Sequence, residues 1–410
     1  MNEKTAIVLG GTNPHIQLLN KLKDRGFYTI LVDYYPNPPA KPFADEHVQA
    51  STMDKEAVLG IALKYKAALV ITTNIDQANT TACYVAEQLN LPHPYSYETA
   101  LNVTDKSRMK RIMWDNGIST SVFISCKTLE EVDSGKIKYP VVVKPSDSKG
   151  SRGVHKCNDF SELRLNFKEA KNASTNGSVV IEGFVEGTEV SFYYFIQDYT
   201  AHYITSNQRF RFRAGTEGVI QSAGGLYPVA LPQVVYDRMQ DNANRIARAF
   251  HLNNSPIFIQ AIATEDDVYV IEFAPRIGGG LSYRLIEGEN HFDIINATID
   301  SFLGLKPVLA ITQPDYFSAV MNVYAPGVIM GELGGIKDVI RYGLAKEFFQ
   351  YKMRGSEVSS DMSSGSRIGG FYIQGKDAEE IYEKIHRINS LIEVFDINGN
   401  AVMRHDIYDI

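Results

Sequence analysis

Cysteine is scarce in this chain of 410 residues: Cys83, Cys126 and Cys157 stand far apart, with no C-x-x-C pair. That spacing gives neither a disulfide framework nor a cysteine-built zinc site. No apolar run approaches the ~18 residues that a membrane span needs. The N-terminal MNEKTAIVLGG enters a strand at once and carries no signal-peptide pattern, so a reducing cytoplasm is the expected compartment and no membrane partner is expected. An excess of positive charge is missing as well. With 41 Lys and Arg against 48 Asp and Glu, the net charge of −7 argues against a nucleic-acid partner. The nine histidines are scattered, and no Ser/His or Cys/His nucleophile is required by the motifs below.

What is present is an ordinary globular composition, 44% apolar and 22% charged, with enough length for two or three domains. Residues 5–9 (TAIVL) form a short, wholly apolar run that suits a buried parallel strand. A Gly10-Gly11 turn and an amphipathic helix at 14–25 follow, then a second strand, FYTILVDYY (27–35), containing Asp33. Helices near 54–66 and 77–89 flank the strand AALVITT. This βαβ succession predicts an open parallel sheet over residues 1–100. The turn G-G-T-N-P lacks the G-x-G-x-x-G dinucleotide fingerprint. It either faces a substrate or closes a tight connection.

The chemistry-bearing segments come later. TDKSRMKRIMWDNGI (104–118) predicts a basic helix with Thr104 as N-cap and Gly117 as its stop. Its Lys106, Arg108, Lys110 and Arg111 read as a solvated face, apart from Lys106, which the next motif singles out. YPVVVKPSDSKGSRGV (139–154) places Lys144 at the end of an apolar strand, where an unpaired ammonium is costly. The loop after it, Ser148, Lys149, Gly150, Ser151, Arg152 and Gly153, has the small residues and cations that cover phosphates, although it is no Walker A loop. VVIEGFVEGTEV (179–190) carries Glu182 and Glu189 seven apart. On these residues alone, two exposed turn glutamates are the favoured reading over a nucleotide contact.

SPIFIQAIATEDDVYVIEFAPRIGGG (255–280) reads as two strands around an acidic turn, delivering Glu272, Arg276 and the glycines Gly278, Gly279 and Gly280. A strand-end carboxylate can hold a hard cation, and an arginine four residues on can fork onto a carboxylate or phosphate. A plain hairpin with a surface Arg remains open. Arg209, Arg211 and Arg213 alternate and share one face of an extended segment, as acceptors of an anionic substrate or as solvated charge. The helix after the glycines contains Arg284, placed to support the same anion site.

The ordered set of D-K helix, V-V-V-K-P strand, small-residue loop, E-x-x-x-E-G-x-E and E-F-A-P-R resembles the ATP-grasp superfamily of carboxylate–amine ligases over roughly residues 1–310. The resemblance implies an α/β and α+β architecture. It has an N-terminal open parallel sheet domain (1–100), a two-subdomain ATP-grasp fold (101–310, small lid subdomain about 118–181) and a small C-terminal lobe (311–410). It implies ATP and Mg2+ as cofactors, small-molecule carboxylate and amine substrates, and a possible homodimer. By match of motifs, Lys106, Lys144 and the loop Ser148–Gly153 hold the nucleotide phosphates. Glu182, with Phe184 and Val185, takes the adenine position, and Glu189 the ribose position. Glu272 is the magnesium glutamate. Arg276, Lys144 and Gly279 serve catalysis, while Arg211, Arg213, Arg276, Gly278 and Gly280 hold substrate.

Gln260 occupies the position where the family has a second acidic metal ligand, and an amide oxygen there brings no charge. The implied reaction is ATP-dependent activation of a carboxylate as an acyl phosphate, followed by capture by an amine. The alternatives are a bicarbonate-phosphorylating enzyme of the biotin carboxylase or carbamoyl-phosphate synthase kind, and a nucleotide-binding module with weakened catalysis.

Overall fold

A computed structural model describes residues 4–133, 137–148, 153–212, 222–362 and 364–408. The N-terminal apolar runs form β1 (Lys4–Leu9), β2 (Phe27–Asp33), β3 (Glu46–Gln49) and β4 (Ala67–Ile71), joined through α1 (Asn13–Asp24) and α2 (Lys55–Lys64). They pair in parallel in the order β3-β2-β1-β4. The inner strands are buried along most of their length and mainly apolar, as suits a parallel sheet covered by helices. The Gly10-Gly11 turn closes on the protein itself: Asp33 accepts from the Gly11 amide (2.7 Å) and from the Tyr35 amide (2.9 Å). An added Cβ on Gly11 would lie 2.4 Å from Pro38.

Helices α3 (Asp76–Gln88), α4 (Tyr97–Thr104) and α5 (Lys106–Asp115) lead out of this sheet. The N-cap of α5 lies one residue later than the sequence pattern predicts. Thr104 ends α4, and Asp105 caps α5, accepting from the Ser107 and Arg108 amides at 2.9 and 3.1 Å. A small antiparallel sheet follows, made of β5 (Phe123–Cys126), β6 (Val141–Pro145), β7 (His155–Cys157) and β8 (Val179–Gly183) in the order β5-β8-β6-β7. Helix α6 (Phe160–Ala173) covers it, burying Leu163, Phe167 and Ala170 against Val143 and Ile181.

The centre of the molecule is an antiparallel sheet of eight strands. Its first five are β9 (Thr188–Gln197), β10 (Thr200–Arg211), β11 (Ser222–Tyr227), β12 (Ser255–Ala263) and β13 (Val268–Ala274), with α7 (Gln233–Ala249), α8 (Ser282–Glu289) and α9 (Ile294–Phe302) packed around them. The last hundred residues supply β14 (Phe317–Tyr324), the ribbon strand β15 (Met330–Gly334), α10 (Ile336–Arg341), β16 (Glu347–Gln350), β17 (Arg367–Gly375), α11 (Ala378–Leu391) and β18 (Glu393–Asp396). Three of these strands hydrogen-bond into the central sheet, whose order is β13-β12-β9-β10-β11-β14-β17-β16; β15 pairs with β18 alone. The C-terminal segment therefore extends the central sheet.

One face of the sheet packs on α7 through Phe192, Tyr194 and Ile259. The N-terminal sheet and helices α8 and α9 share a single apolar core, in which Leu18, Leu19 and Leu22 meet Ile286, Ile294 and Ile299. Among the described residues, no helix is long and apolar enough to cross a membrane.

Candidate active site

The small sheet and the N-terminal end of α3 overhang the open face of the central sheet. A cleft of about 1080 Å³ lies between them. Strand alternation aims its floor residues. Gln260 on β12 pairs across to Glu272 on β13 and to Ser191 on β9, so the three side chains stand in one row. Asn207 pairs with Ser191 from β10 and continues the row.

Charge is ordered along this floor. Glu272 faces Lys106 Nζ at 3.4 Å, and that lysine also donates to the Ser148 carbonyl (2.9 Å). Burial pushes the Glu272 carboxyl up, but Lys106 and then Lys144 outweigh it and hold the group below its ordinary value. Oriented to satisfy both neighbours, the Gln260 amide donates to Glu272 Oε1 (2.7 Å) and accepts from Arg209 Nη1. Arg209 in turn pairs with Glu189 Oε1 at 2.6 Å, and Arg211 Nε lies 3.5 Å from Glu189 Oε2. A continuous relay, Glu189–Arg209–Gln260–Glu272, results. It points the Gln260 nitrogen, not its oxygen, at Glu272, so in this arrangement Gln260 offers no ligand oxygen to a cation on that carboxylate. Sequence reading placed Gln260 among the metal ligands because spacing cannot show which way an amide turns.

Above the floor sits a buried cluster. Glu182 accepts from Lys144 (2.5 Å) and Lys110 (3.0 Å), and the Ser121 hydroxyl donates to it at 2.9 Å. Burial raises the Glu182 carboxyl, but Lys110 and Lys144 overcome this and hold it at about 2. Burial also draws the Lys110 ammonium down to about 8 against the pull of Glu182. Lys110 is therefore no part of a solvated face: it is fully buried and donates to Thr120 at 2.6 Å. Only its helical phase beside Met109 and Met113 hinted at this in the sequence. Phe184 and Val185 line the cleft next to this cluster, and the Phe184 amide is taken by the Pro140 carbonyl (3.0 Å).

Arg276 reaches across to the N-terminal sheet domain. Its Nε and Nη2 grip the two oxygens of Asp76 at 2.5 and 2.9 Å, and Nη1 donates to the Ile277 carbonyl (2.8 Å). Asp76, in the first turn of α3, was missed by sequence reasoning because 200 residues separate it from its partner. Gly279 and Gly280 are exposed on the cleft wall, whereas an added Cβ on Gly278 would meet the Tyr193 ring at 2.6 Å, so that glycine serves packing. Arg284 pairs with Glu347 (3.2 Å) and Glu287 (3.5 Å) and stands outside the cleft lining. Lys149, Gly150, Ser151, Arg152 and Arg213 lie outside the described residues. The described His, Cys, Asp and Glu residues include no group of three arranged to hold a metal ion. A lone strand-end carboxylate does fit magnesium that takes its remaining oxygens from phosphate and water.

Comparisons with known proteins agree with this geometry. Residues 137–284 match the ATP-grasp domain family. A formate-dependent phosphoribosylglycinamide formyltransferase of Cupriavidus metallidurans is 24% identical over 348 residues, covering 82% of this chain and 84% of the relative. Its counterpart in Wolinella succinogenes is 25% identical over 284 residues, covering 67% and 70%. Among solved structures, the L-amino acid ligase of Bacillus licheniformis superposes with a TM-score of 0.81 at 18% identity, over 97% of this chain and 100% of that one. The phosphoribosylglycinamide synthetase of Anaerococcus prevotii gives 0.74 at 18% identity, over 96% and 99%. These two share the fold. The chain carries an ATP-grasp domain over residues 137–284.

Proposed function

We propose that the protein is an ATP-dependent ligase that activates a carboxylate as an acyl phosphate and joins it to an amine. The observation that carries this reading is the meeting of Lys106, Lys144 and a single strand-end carboxylate, Glu272, at one end of an open sheet floor. ATP and Mg2+ are its cofactors. Glu272 holds the cation, which when bound draws negative charge from the phosphate oxygens.

The chain's own residues do the rest. Lys106 and Lys144 neutralise phosphate oxygens, and such preorganised charge is the main catalytic resource in phosphoryl transfer. Glu182 keeps Lys144 in place, with Phe184 and Val185 beside it as the adenine wall; Glu189 stands at the ribose end. Ser148, whose carbonyl accepts from Lys106, stands at the phosphate end of the cleft. A substrate carboxylate oxygen attacks the γ-phosphorus and ADP leaves. The amine nitrogen then attacks the acyl carbon, inorganic phosphate departs, and the amine proton passes to solvent. The Gly279 and Gly280 amides face the developing oxyanion, while Arg276 fixes that loop to α3 through Asp76. Arg211 lies at the substrate end.

The relatives' names point to formate as the acid and phosphoribosylglycinamide as the amine, and this pair is the first to try. ADP release is measured with ATP, Mg2+ and formate, bicarbonate or an amino acid as the acid, each with and without an amine. Amine-dependent release supports the ligase, and bicarbonate-dependent release without amine moves the reading to a bicarbonate-phosphorylating enzyme. Tight ATP binding without release under any pair leaves a nucleotide-binding module. Glu272→Gln is expected to lower kcat by about 100-fold or more, as loss of one focused charge does; unchanged magnesium dependence in that variant would remove Glu272 from the metal site.

A further inference from the structure

Helix α8 starts just behind the cleft glycines and ends on a carboxylate that the cleft does not use. Glu289 is its last residue and Asn290 its C-cap, and neither lines the cleft. Both are buried, at 5% and 1% exposure. They line a second hollow of about 10 Å³, together with Thr205, Tyr316 and Ser318. That is room for one atom the size of a water molecule.

One oxygen of Glu289 is well supplied with donors. Oε1 accepts from the Ser318 hydroxyl on β14 (2.6 Å), from the Gln374 amide on β17 (3.0 Å) and from the Tyr372 hydroxyl. Oε2 is buried and, among the described residues, has no donor. The Asn290 amide is fixed by its nitrogen. Nδ2 donates to the Ile204 and Thr312 carbonyls at 3.0 and 2.9 Å, so the amide keeps this orientation, and Oδ1 is left buried without a donor among the described residues. Two acceptor oxygens from adjacent residues therefore border one atom-sized hollow.

Charge decides what suits it. The donors to Glu289 are neutral, and among the described residues no lysine, arginine or histidine pairs with it. A buried carboxylate is costly unless a counter-charge or a metal ion meets it. The C-terminal end of α8 adds partial negative charge at the same point. A water molecule satisfies both oxygens but leaves the charge in place. Magnesium keeps several of its waters, and the hollow has no room for them. A potassium ion is about as large as a water molecule, takes oxygen ligands and matches a single carboxylate.

We propose that this hollow binds a monovalent cation of potassium's size, held by Glu289 Oε2 and Asn290 Oδ1, which fastens the C-terminal end of α8 to β14 and β17. The site does not depend on the ligase reading, and its test needs no turnover. Thermal unfolding of the full chain is measured in EDTA at one ionic strength, set with potassium chloride or with tetramethylammonium chloride. The midpoint is expected to be about 2 °C or more higher in potassium. Glu289→Gln removes the charge with little change of shape. It is expected to be at least as stable as the parent chain in tetramethylammonium, and to lose the difference between the two salts. Crystals grown with thallium(I) in place of potassium locate the ion without any variant, by an anomalous peak between Glu289 and Asn290. Equal midpoints in the two salts, a difference that persists in Glu289→Gln, or no thallium peak at these residues would overturn the proposal and leave a hollow that holds water.

Discussion

Glu182 shows how much one side chain can set. Two buried ammonium groups converge on it, and removing one partner of such a cluster leaves uncompensated charge in a low-dielectric site. Glu182→Gln is expected to destabilise the fold by about 3–5 kcal/mol in urea denaturation at pH 7. Its carboxyl titrates at about 2 in the folded chain against the ordinary 4.5, so its stabilisation is present above 4.5 and lost as pH falls from there toward 2. His15 acts in the adjoining window. It is fully buried between Thr12 and Thr72, and burial lowers it from 6.5 to about 4. The unfolded chain takes up its proton first, so stability is full above 6.5 and falls as pH drops to about 4, by about 3 kcal/mol at ~1.4 kcal/mol per unit. His15→Gln should flatten denaturation midpoints measured between pH 7 and 5; an unchanged slope would refute the assignment.

Among the elements, α5 matters most to the site because its first residue is Lys106. The cap residue, Asp105, accepts from two amides of the first turn and also from Asn176 Nδ2 (3.0 Å), tying the helix to the small sheet. Asp105→Ala is expected to cost about 0.5–2 kcal/mol of stability. Because the cap also sets where Lys106 points, it should raise the KM for ATP more than it lowers kcat, and steady-state kinetics separate the two. Sequence reading put the cap one residue early because Thr and Asp are both good caps, and it could not see that α4 already consumes Thr104. The apolar runs and the strand–turn–strand around 255–280 were legible, since their periodicity and turn residues act locally. The pairing of Gln260 with Arg209 was not, because it depends on β9 lying between β12 and β10.

For the whole molecule, the N-terminal sheet is joined to the rest by a shared core and by charge. Lys21 pairs with Asp293 (2.7 Å) and Arg25 with Asp300 (2.6 Å), partly exposed contacts worth at most about 1 kcal/mol each. The apolar seam contributes more than these ion pairs. Ile299 on α9 is fully buried in the same cluster as Leu18 and Leu22 of α1. Ile299→Ala should therefore cost about 2–5 kcal/mol and lower the midpoint for the N-terminal sheet and the central sheet together, read by urea denaturation with probes in each. Separate, unshifted unfolding of the N-terminal part would contradict a common core. The Arg276–Asp76 fork spans the same seam beside the cleft.

The sequence alone determined what local chemistry can determine: the parallel α/β start, the strand ending in Lys144, the carboxylate and arginine of E-F-A-P-R, and from their order the resemblance to the ATP-grasp superfamily. Period and turn signals act over a few residues, and motif order survives without coordinates. Only tertiary structure decided that Lys110 is buried, that Arg276 grips Asp76, that Gln260 turns its nitrogen to Glu272, and that β14 and β17 bring Ser318 and Gln374 to Glu289. Each of these is set by strand order and packing between residues distant in the chain, which linear spacing does not specify.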